Sequence, residues 1–535
     1  MLAGTFAWPC VALAGSLDAE DLVDVVAITG EVAPGGGVFS SFRSNSLTGP
    51  GSLLGPTLDS SGNVVFRART SGVAADVDTG IFGRQVAVDG STSLVAAVRE
   101  GDLVDGGPAT FGDFIERLEL NRPRGIQQGN VAFRVDLQDV VDQDGVFRVN
   151  LGSTPTVTAR TNTVSTTGEP LDTFDRVTAT RDGDVAFRAI DATPGSTGLG
   201  VYLSPVGSAQ VLTIARRGDS VGSDTFTNLD NLVAGDVVGG TAQVAFRGSL
   251  QTLGNFSGVF VGDGTTVETI ALSGDAADDG NGGTSGTLGQ FEGLDLNTSG
   301  TVAFFARIEG SGVSGDSGLF RDNGVTAQAE LIARRGQAAD GGGVFEAFVN
   351  TPSLNDLGDV AFVAALSDTA GGSTTRLAVY LDAVGADPVA IARGGDAAPG
   401  DTGTFDAFGF DGFAPPSLNE SGQVAFTATT TKDGISGDGI FLFDPIAGLV
   451  KVVRTGDLID GSAITDIGFQ FGSGDALTGL SDSGDVAFSF KLADARSGIG
   501  VWRAAEGIVV IPSPLSAVGG MVMLGTLTLR RRRSV

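Results

Sequence analysis

The 535 residues carry 33 Lys and Arg against 63 Asp and Glu, a formal net charge of −30, together with 83 Gly and 33 Phe. That balance leaves no basic groove for nucleic acid and disfavours anionic lipid surfaces. His is absent and Cys10 is the single cysteine, so Ser-His-Asp and Cys-His catalysis and imidazole metal sites are excluded.

The chain opens on an apolar, uncharged stretch from Leu2 to Gly15, followed by Asp18, Glu20 and Asp21. Ala12-Leu13-Ala14 meets the small-x-small cleavage rule. The first Arg is Arg43, so a basic start is missing. The reading is a truncated signal peptide over residues 1–18, with Ala12 and Ala14 at the cleavage site. The competing reading is an apolar first strand. Cys10 follows Ala7-Trp8-Pro9, a poor match to a lipoprotein box, and leaves with the leader. The segment Val25-Val26-Ala27-Ile28-Thr29-Gly30-Glu31 reads as a late strand and turn of a module whose earlier strands are not beside it.

From there a short pattern recurs about every 60 residues and ends on Phe66, Phe133, Phe187, Phe246, Phe304, Phe362, Phe426 and Phe488. Its fullest copies include Leu296-Asn297-Thr298-Ser299-Gly300-Thr301-Val302-Ala303-Phe304 and Leu418-Asn419-Glu420-Ser421-Gly422-Gln423-Val424-Ala425-Phe426. Polar turn formers and Gly precede an alternating apolar run, the signature of a tight turn entering a strand. A second strand follows with Gly or Ala two residues before an aromatic, as in Gly200-Val201-Tyr202, Gly258-Val259-Phe260, Ala378-Val379-Tyr380 and Gly500-Val501-Trp502. Tyr202, Tyr380 and Trp502 thus share one slot with Phe and read as core fillers. A third strand ends in Arg and a turn, as in Ile214-Ala215-Arg216-Arg217-Gly218-Asp219 and Val452-Val453-Arg454-Thr455-Gly456-Asp457. A fourth signal is Phe-x-x-Phe, at Phe39/Phe42, Phe111/Phe114, Phe345/Phe348 and Phe405/Phe408.

Four strand signals per module and eight modules predict an all-β chain: a β-propeller-like repeat array of about eight four-stranded modules over residues 19–511, closed into a ring. The N-terminal strand at Val25 is placed to complete the last blade and hide its edge. A right-handed β-helix would repeat at a tighter period, and tandem sandwiches of two modules are the other open architecture. The modules resemble bacterial exported proteins with tandem NxxGxxAF repeats and a variable C-terminal anchor. Three full copies carry that resemblance: Asn297, Gly300, Ala303 and Phe304; Asn355, Gly358, Ala361 and Phe362; and Asn419, Gly422, Ala425 and Phe426. It implies an address and an architecture but no reaction.

The chain closes on Ile511-Pro512-Ser513-Pro514, an apolar run from Leu515 to Leu529, and Arg530, Arg531, Arg532 and Arg533. At 1.5 Å per residue the run makes a helix of about 22 Å, short for a bilayer core, with arginines that snorkel on the cytoplasmic side. Residues 512–535 resemble a PEP-CTERM sorting signal, with Ser513 in place of the signature Glu. The resemblance implies processing by an exosortase and delivery to the cell surface or extracellular matrix.

Candidate chemistry is sparse. Arg216 with Asp219, Arg393 with Asp396 and Arg454 with Asp457 read as pairs bracing turns, because a residue needed in every module builds the module. Arg67, Arg134, Arg188 and Arg247 follow the Phe in the first four copies only, an asymmetry that could mark a charged face on one half. The acidic runs Asp275–Asn281 and Asp139–Gly145 have oxygen ligands suited to calcium but lack a full binding pattern. A glycosidase carboxylate pair is physically open without being singled out. Lys432, Lys451 and Lys491, the only lysines, read as compositional bias.

The expectation is therefore an exported, monomeric surface or matrix protein with a non-enzymatic binding or structural role. Its partner is a polysaccharide or surface protein, and it meets the membrane only through the C-terminal helix before processing. It needs no cofactor, with calcium as a weak option. The alternatives are a glycan-active propeller enzyme using carboxylates and a calcium-dependent adhesin.

Overall fold

The computed structural model describes residues 22–504 except 43–54, 105–108, 115–123, 128–129, 139–143, 181, 192–197, 239–240, 281, 313–314, 323–327, 369–375, 401, 410–413 and 472–477. Eight antiparallel sheets of four or five strands follow one another as the blades of a β-propeller. Blade 3 shows the plan, with strands Leu171–Ala179, Val185–Asp191, Leu199–Ser204 and Leu212–Arg216 hydrogen-bonded in that order. The first strands of successive blades touch one another, as Asp224–Val238 does with Thr284–Leu296 and the latter with Val344–Leu354. They are therefore the inner strands around the ring axis, and the strands ending in Arg are the outer ones.

This placement corrects the phase of the module. Phe-x-x-Phe does not close a blade but opens the next one, lying beside the Val-Ala-Phe strand that follows it, as Phe405 and Phe408 do against Thr404–Phe408's neighbour Val424–Lys432. The ring closes where the sequence placed the seam. Val23–Ile28 pairs with Ser497–Trp502 and becomes the outer strand of blade 8, from Val23 opposite Trp502 to Ile28 opposite Gly498.

Alternation along the second strand explains the repeat. In blade 5, Val302, Phe304 and Ala306 pack toward blade 4, while Ala303 and Phe305 pack toward blade 6. Eight buried clusters each straddle two neighbouring blades, and the one joining Ala27, Ala487, Ile499 and Val501 of blade 8 to Phe39, Phe66 and Phe82 of blade 1 completes the circle. Tyr202, Tyr380 and Trp502 are buried among them. The glycine two residues before the aromatic in most copies has a steric cause. A Cβ on Gly258 would lie 2.5 Å from the Phe260 ring, which folds back over it. Stacked pairs such as Phe246 with Phe260, 5.7 Å apart, then fill the blade interior.

The Asn of the NxxGxxAF motif has two tasks. Oδ1 of Asn297 accepts the backbone N–H groups of Ser299 and Thr301, fixing a turn that Gly300 completes at a left-handed φ of 80°. Its Nδ2 donates to the Asn355 carbonyl of the next blade at 2.9 Å. Asn355 does the same to Asn419, and Asn419 to Ser481, so the amides form a ladder from blade 5 to blade 8. In the first copy Asp59 keeps the turn-fixing task, accepting from Ser61 and Asn63.

Among the described residues no helix is long and apolar enough to cross a membrane. Ala12, Ala14, Cys10, Pro512, Pro514 and Arg530 to Arg533 all lie outside the described residues.

Candidate functional site

The site begins with the arginines of the first four copies. The position after the repeat Phe lies on the face turned toward the next blade, so a long side chain there crosses the interface. Arg67 donates to the Phe114 carbonyl at 2.9 Å, Arg188 to the Leu229 carbonyl at 3.1 Å, and Arg247 to the Phe291 carbonyl at 3.0 Å. Arg134 stays with Asp144 and Asp136, and Asp144 in turn accepts the backbone N–H of Phe174 from blade 3. Burial pushes the Asp144 carboxyl up against the opposing pull of Arg134.

Each inner strand of blades 3 to 6 breaks register opposite this region. The interruptions fall between Asp175 and Thr178, Asp230 and Val233, Phe291 and Leu294, and Val349 and Ser353. Such bulges leave residues unpaired and re-aim their side chains. Arg176 and Asn231 sit in two of them with left-handed φ of 50° and 51°, a conformation costing a non-glycine residue on the order of 1 kcal/mol.

Together the bulges wall a pocket of about 360 Å³, within the range of small-ligand sites. Arg176 comes from blade 3, Asp230, Asn231 and Arg247 from blade 4, Glu292 and Gly293 from blade 5, and Thr351 from blade 6. Asp230 is the hub. Its Oδ1 takes Arg188 at 3.0 Å and lies 3.7 Å from Arg176, and its Oδ2 lies 3.5 Å from Arg247. Arg188 also grips Asp175 at 2.6 Å, and that bond raises its already high pKa. Burial lowers the pKa of Arg247, with Asp230 and Glu292 opposing, and a guanidinium stays charged through such a shift. Arg247 also lies 4.5 Å over the Phe256 ring. Glu292 meets Arg307 at 3.4 Å with both side chains more than half exposed.

The DUF7453 family pattern matches residues 58–518. The chain belongs to this family, whose function is unknown. No curated protein matches the chain. Among solved structures it is similar to the β-propeller domain of the Trilobed protease from Pyrococcus furiosus, at 10% identity and a TM-score of 0.39, over 78% of this chain and 97% of that one. It is similar to an oligogalacturonate lyase in complex with manganese, at 11% identity and a TM-score of 0.38, over 78% and 96%. It is also similar to a PL25 ulvan lyase, at 10% identity and a TM-score of 0.33, over 86% and 94%. Likeness at this level shows the propeller fold alone.

One expectation is corrected at this point. The chain was expected not to be an enzyme because it lacks His and a usable Cys. Propellers named as lyases and as part of a protease stand among the structures it is similar to, so that exclusion does not hold for this architecture. Carboxylates and arginines gathered on an inner wall are reactive groups that the missing residue types leave in place.

The turn arginines also behave differently from their reading. Asp219 and Asp457 brace the turns by accepting the backbone N–H of Arg216 and Arg454, each at 2.8 Å. The guanidinium groups go elsewhere: Arg216 to Glu169 and Asp191, Arg393 to the carbonyls of Gly341 and Gly342, and Arg454 to Thr430. Arg216, through Glu169, and Arg393 pin the loop that enters their own blade, while Arg454 holds the end of its blade's second strand.

In the Asp275–Asn281 run, Asp275, Asp278 and Asp279 accept backbone N–H groups of Leu272, Gly280 and Gly283. Of the other acidic run, 139–143 lies outside the described residues. Among the described residues no three metal-ligating side chains converge. Lys451 pairs with Asp457 at 2.9 Å. Sequence reasoning flagged Arg188 and Arg247 but missed Arg176, Asp230, Asn231 and Glu292. The available signal was the polar content of the inner strands at a position that the Phe pattern would otherwise leave apolar.

Proposed function

We propose that this DUF7453 propeller is an exported glycan-active protein that holds and acts on a polysaccharide chain at the inner wall of blades 3 to 6. The supporting observation is the pocket in which Asp230 and Glu292 come from consecutive blades beside Arg176 and Arg247, on bulges that cost backbone strain. Glu292, more than half exposed beside Arg307, is the carboxylate a bound sugar would reach, while Asp230 is the fixed carboxylate opposite it. Export through residues 1–18 and surface delivery through residues 512–535 belong to the same reading, which places the pocket where polysaccharide is met.

The test incubates the purified protein with surface polysaccharide from the source organism, with and without a calcium chelator, and follows retention and new reducing or unsaturated ends. New ends are expected, reduced at least 100-fold by Glu292→Gln with retention preserved. Absence of new ends with the unaltered protein overturns the reading, and chelator sensitivity would add a calcium requirement to it.

A further inference from the structure

The pocket lining sets two guanidinium groups, Arg176 and Arg247, against two carboxylates, Asp230 and Glu292, in a strongly acidic chain, and the network of ion pairs around it is richer in cations. Contacts join Arg176, Arg188, Arg247 and Arg307 to Asp175, Asp230 and Glu292, four cations against three carboxylates where the whole chain has a formal net charge of −30. Arg188 is fully engaged by Asp175, Asp230 and the Leu229 carbonyl, and Arg307 lies on Glu292.

Arg176 and Arg247 are different. The Arg176 side chain is 53% exposed, and its nearest carboxylate oxygen, 3.7 Å away, is already taken by Arg188. Its backbone is held at a φ of 50°, where Gly would be unstrained. The bulge therefore holds a half-exposed guanidinium at the pocket at a cost in backbone strain. Arg247 is 16% exposed, and its Nε is buried with no hydrogen-bond partner among the described residues. A buried donor without an acceptor costs on the order of 1–3 kcal/mol, and Arg247 lines the pocket beside Arg176.

We propose that Arg176 and Arg247 bind an oxyanion carried on the sugar, a uronate carboxylate or a sulfate ester, so that the ligand class is acidic polysaccharide. This rests on the glycan reading given above. A guanidinium presents parallel donors to two oxygens of either group, which a neutral sugar does not supply. The acidity of the rest of the chain does not prevent this, because at physiological ionic strength repulsion is screened beyond about 8 Å while the contact within the pocket is not.

The experiment measures binding of the full chain to polygalacturonate, to a sulfated galactan and to dextran, and its thermal midpoint with free galacturonate, sulfate and galactose. Unaltered protein, Arg176→Ala and Arg176→Lys are compared. The acidic polymers are expected to bind and dextran to bind at least tenfold more weakly, with the polygalacturonate and sulfated arms telling which oxyanion is taken. Arg176→Ala is expected to weaken the acidic polymer about tenfold, the loss of one charged hydrogen-bonding group, without moving the midpoint of the free protein. Arg176→Lys is expected to recover part of that loss. Equal binding of dextran and both acidic polymers, or unchanged binding in Arg176→Ala, overturns the oxyanion site while leaving the glycan reading standing. If no polymer is retained, the glycan reading fails by itself. A midpoint raised by galacturonate or sulfate and abolished in Arg176→Ala would then still support the oxyanion site, and no such rise would overturn it.

Discussion

Blades 1 to 4 and blades 5 to 8 solve one problem with different chemistry. Each blade must hold the next one around the ring. In the first half the link is a charge reaching across the interface: Arg67, Arg188 and Arg247 donate to carbonyls of the following inner strand, and Arg134 works through Asp144. In the second half the same slot holds Phe305, Val363, Thr427 and Ser489. Phe305 stacks on Phe348 of the next blade at 5.6 Å, and the polar link moves to the turn, where Asn297, Asn355 and Asn419 form the amide ladder. Carboxylates reinforce it, with Asp356 and Glu420 accepting backbone N–H groups of Thr298 and Asp356. A hydrophobic repeat thus fixes the ring, while the polar fastening is interchangeable. Where charged fasteners of adjacent blades converge on one carboxylate, Asp230, a pocket results.

Substitutions in matched slots sharpen this contrast. Phe187→Ala and Phe304→Ala remove fully buried rings from opposite halves and should each cost about 3–5 kcal/mol. Denaturant midpoints that fall equally would show that the apolar frame is common to both. Arg188→Ala leaves Asp175, Asp230 and the Leu229 carbonyl without their partner and should cost about 2–4 kcal/mol. A cost under about 0.5 kcal/mol would deny the charged fasteners a structural role.

The second half has charged links of its own, among them Arg321 of blade 5 to Asp382 of blade 6 at 2.9 Å, and that one offers a titration. Burial raises the Asp382 pKa to about 7, outweighing the pull of Arg321. The folded value exceeds the unfolded one near 3.9, so the associated stability is complete below about pH 4 and lost as pH rises through 7. The thermal midpoint should drop by about 2 °C from this group over that window, and Asp382→Asn should flatten the slope. An unchanged slope in the variant would remove Asp382 as its source. The smallest effect belongs to the amide ladder. Asn355→Ala should cost about 1 kcal/mol, with less salt dependence than Arg188→Ala in parallel urea titrations at low and high salt.

The frame was legible because it is repeated. Phe304 and its equivalents, the Gly-x-aromatic slot and the stray strand at Val25 each impose period and order, and the closure at Val23–Ile28 follows from them. What escaped was the phase of the blade, since a turn at Gly218 or Gly456 looks the same whether the strand after it ends one sheet or begins another. The pocket escaped for a different reason. It depends on bulges at Arg176, Asn231 and Glu292, and a register slip leaves no period in the sequence. The arginine asymmetry was visible as a pattern, but its meaning needed the third dimension, because Arg188 and Arg247 meet Asp230 only when blades are laid side by side.

The seam of the ring also has a history in time. Asp24 meets Arg503 across 479 residues of chain, beside the pairing of Val23 with Trp502. Among the described strands, Val23–Ile28 leaves the ribosome first and waits longest for its partner. Contacts so distant in sequence form late, and an unpaired strand edge invites pairing with other molecules in the interval. Closing the ring brings blade 8 to a strand synthesised ahead of every other described strand, so shielding Val23–Ile28 until then would raise the yield of closed rings.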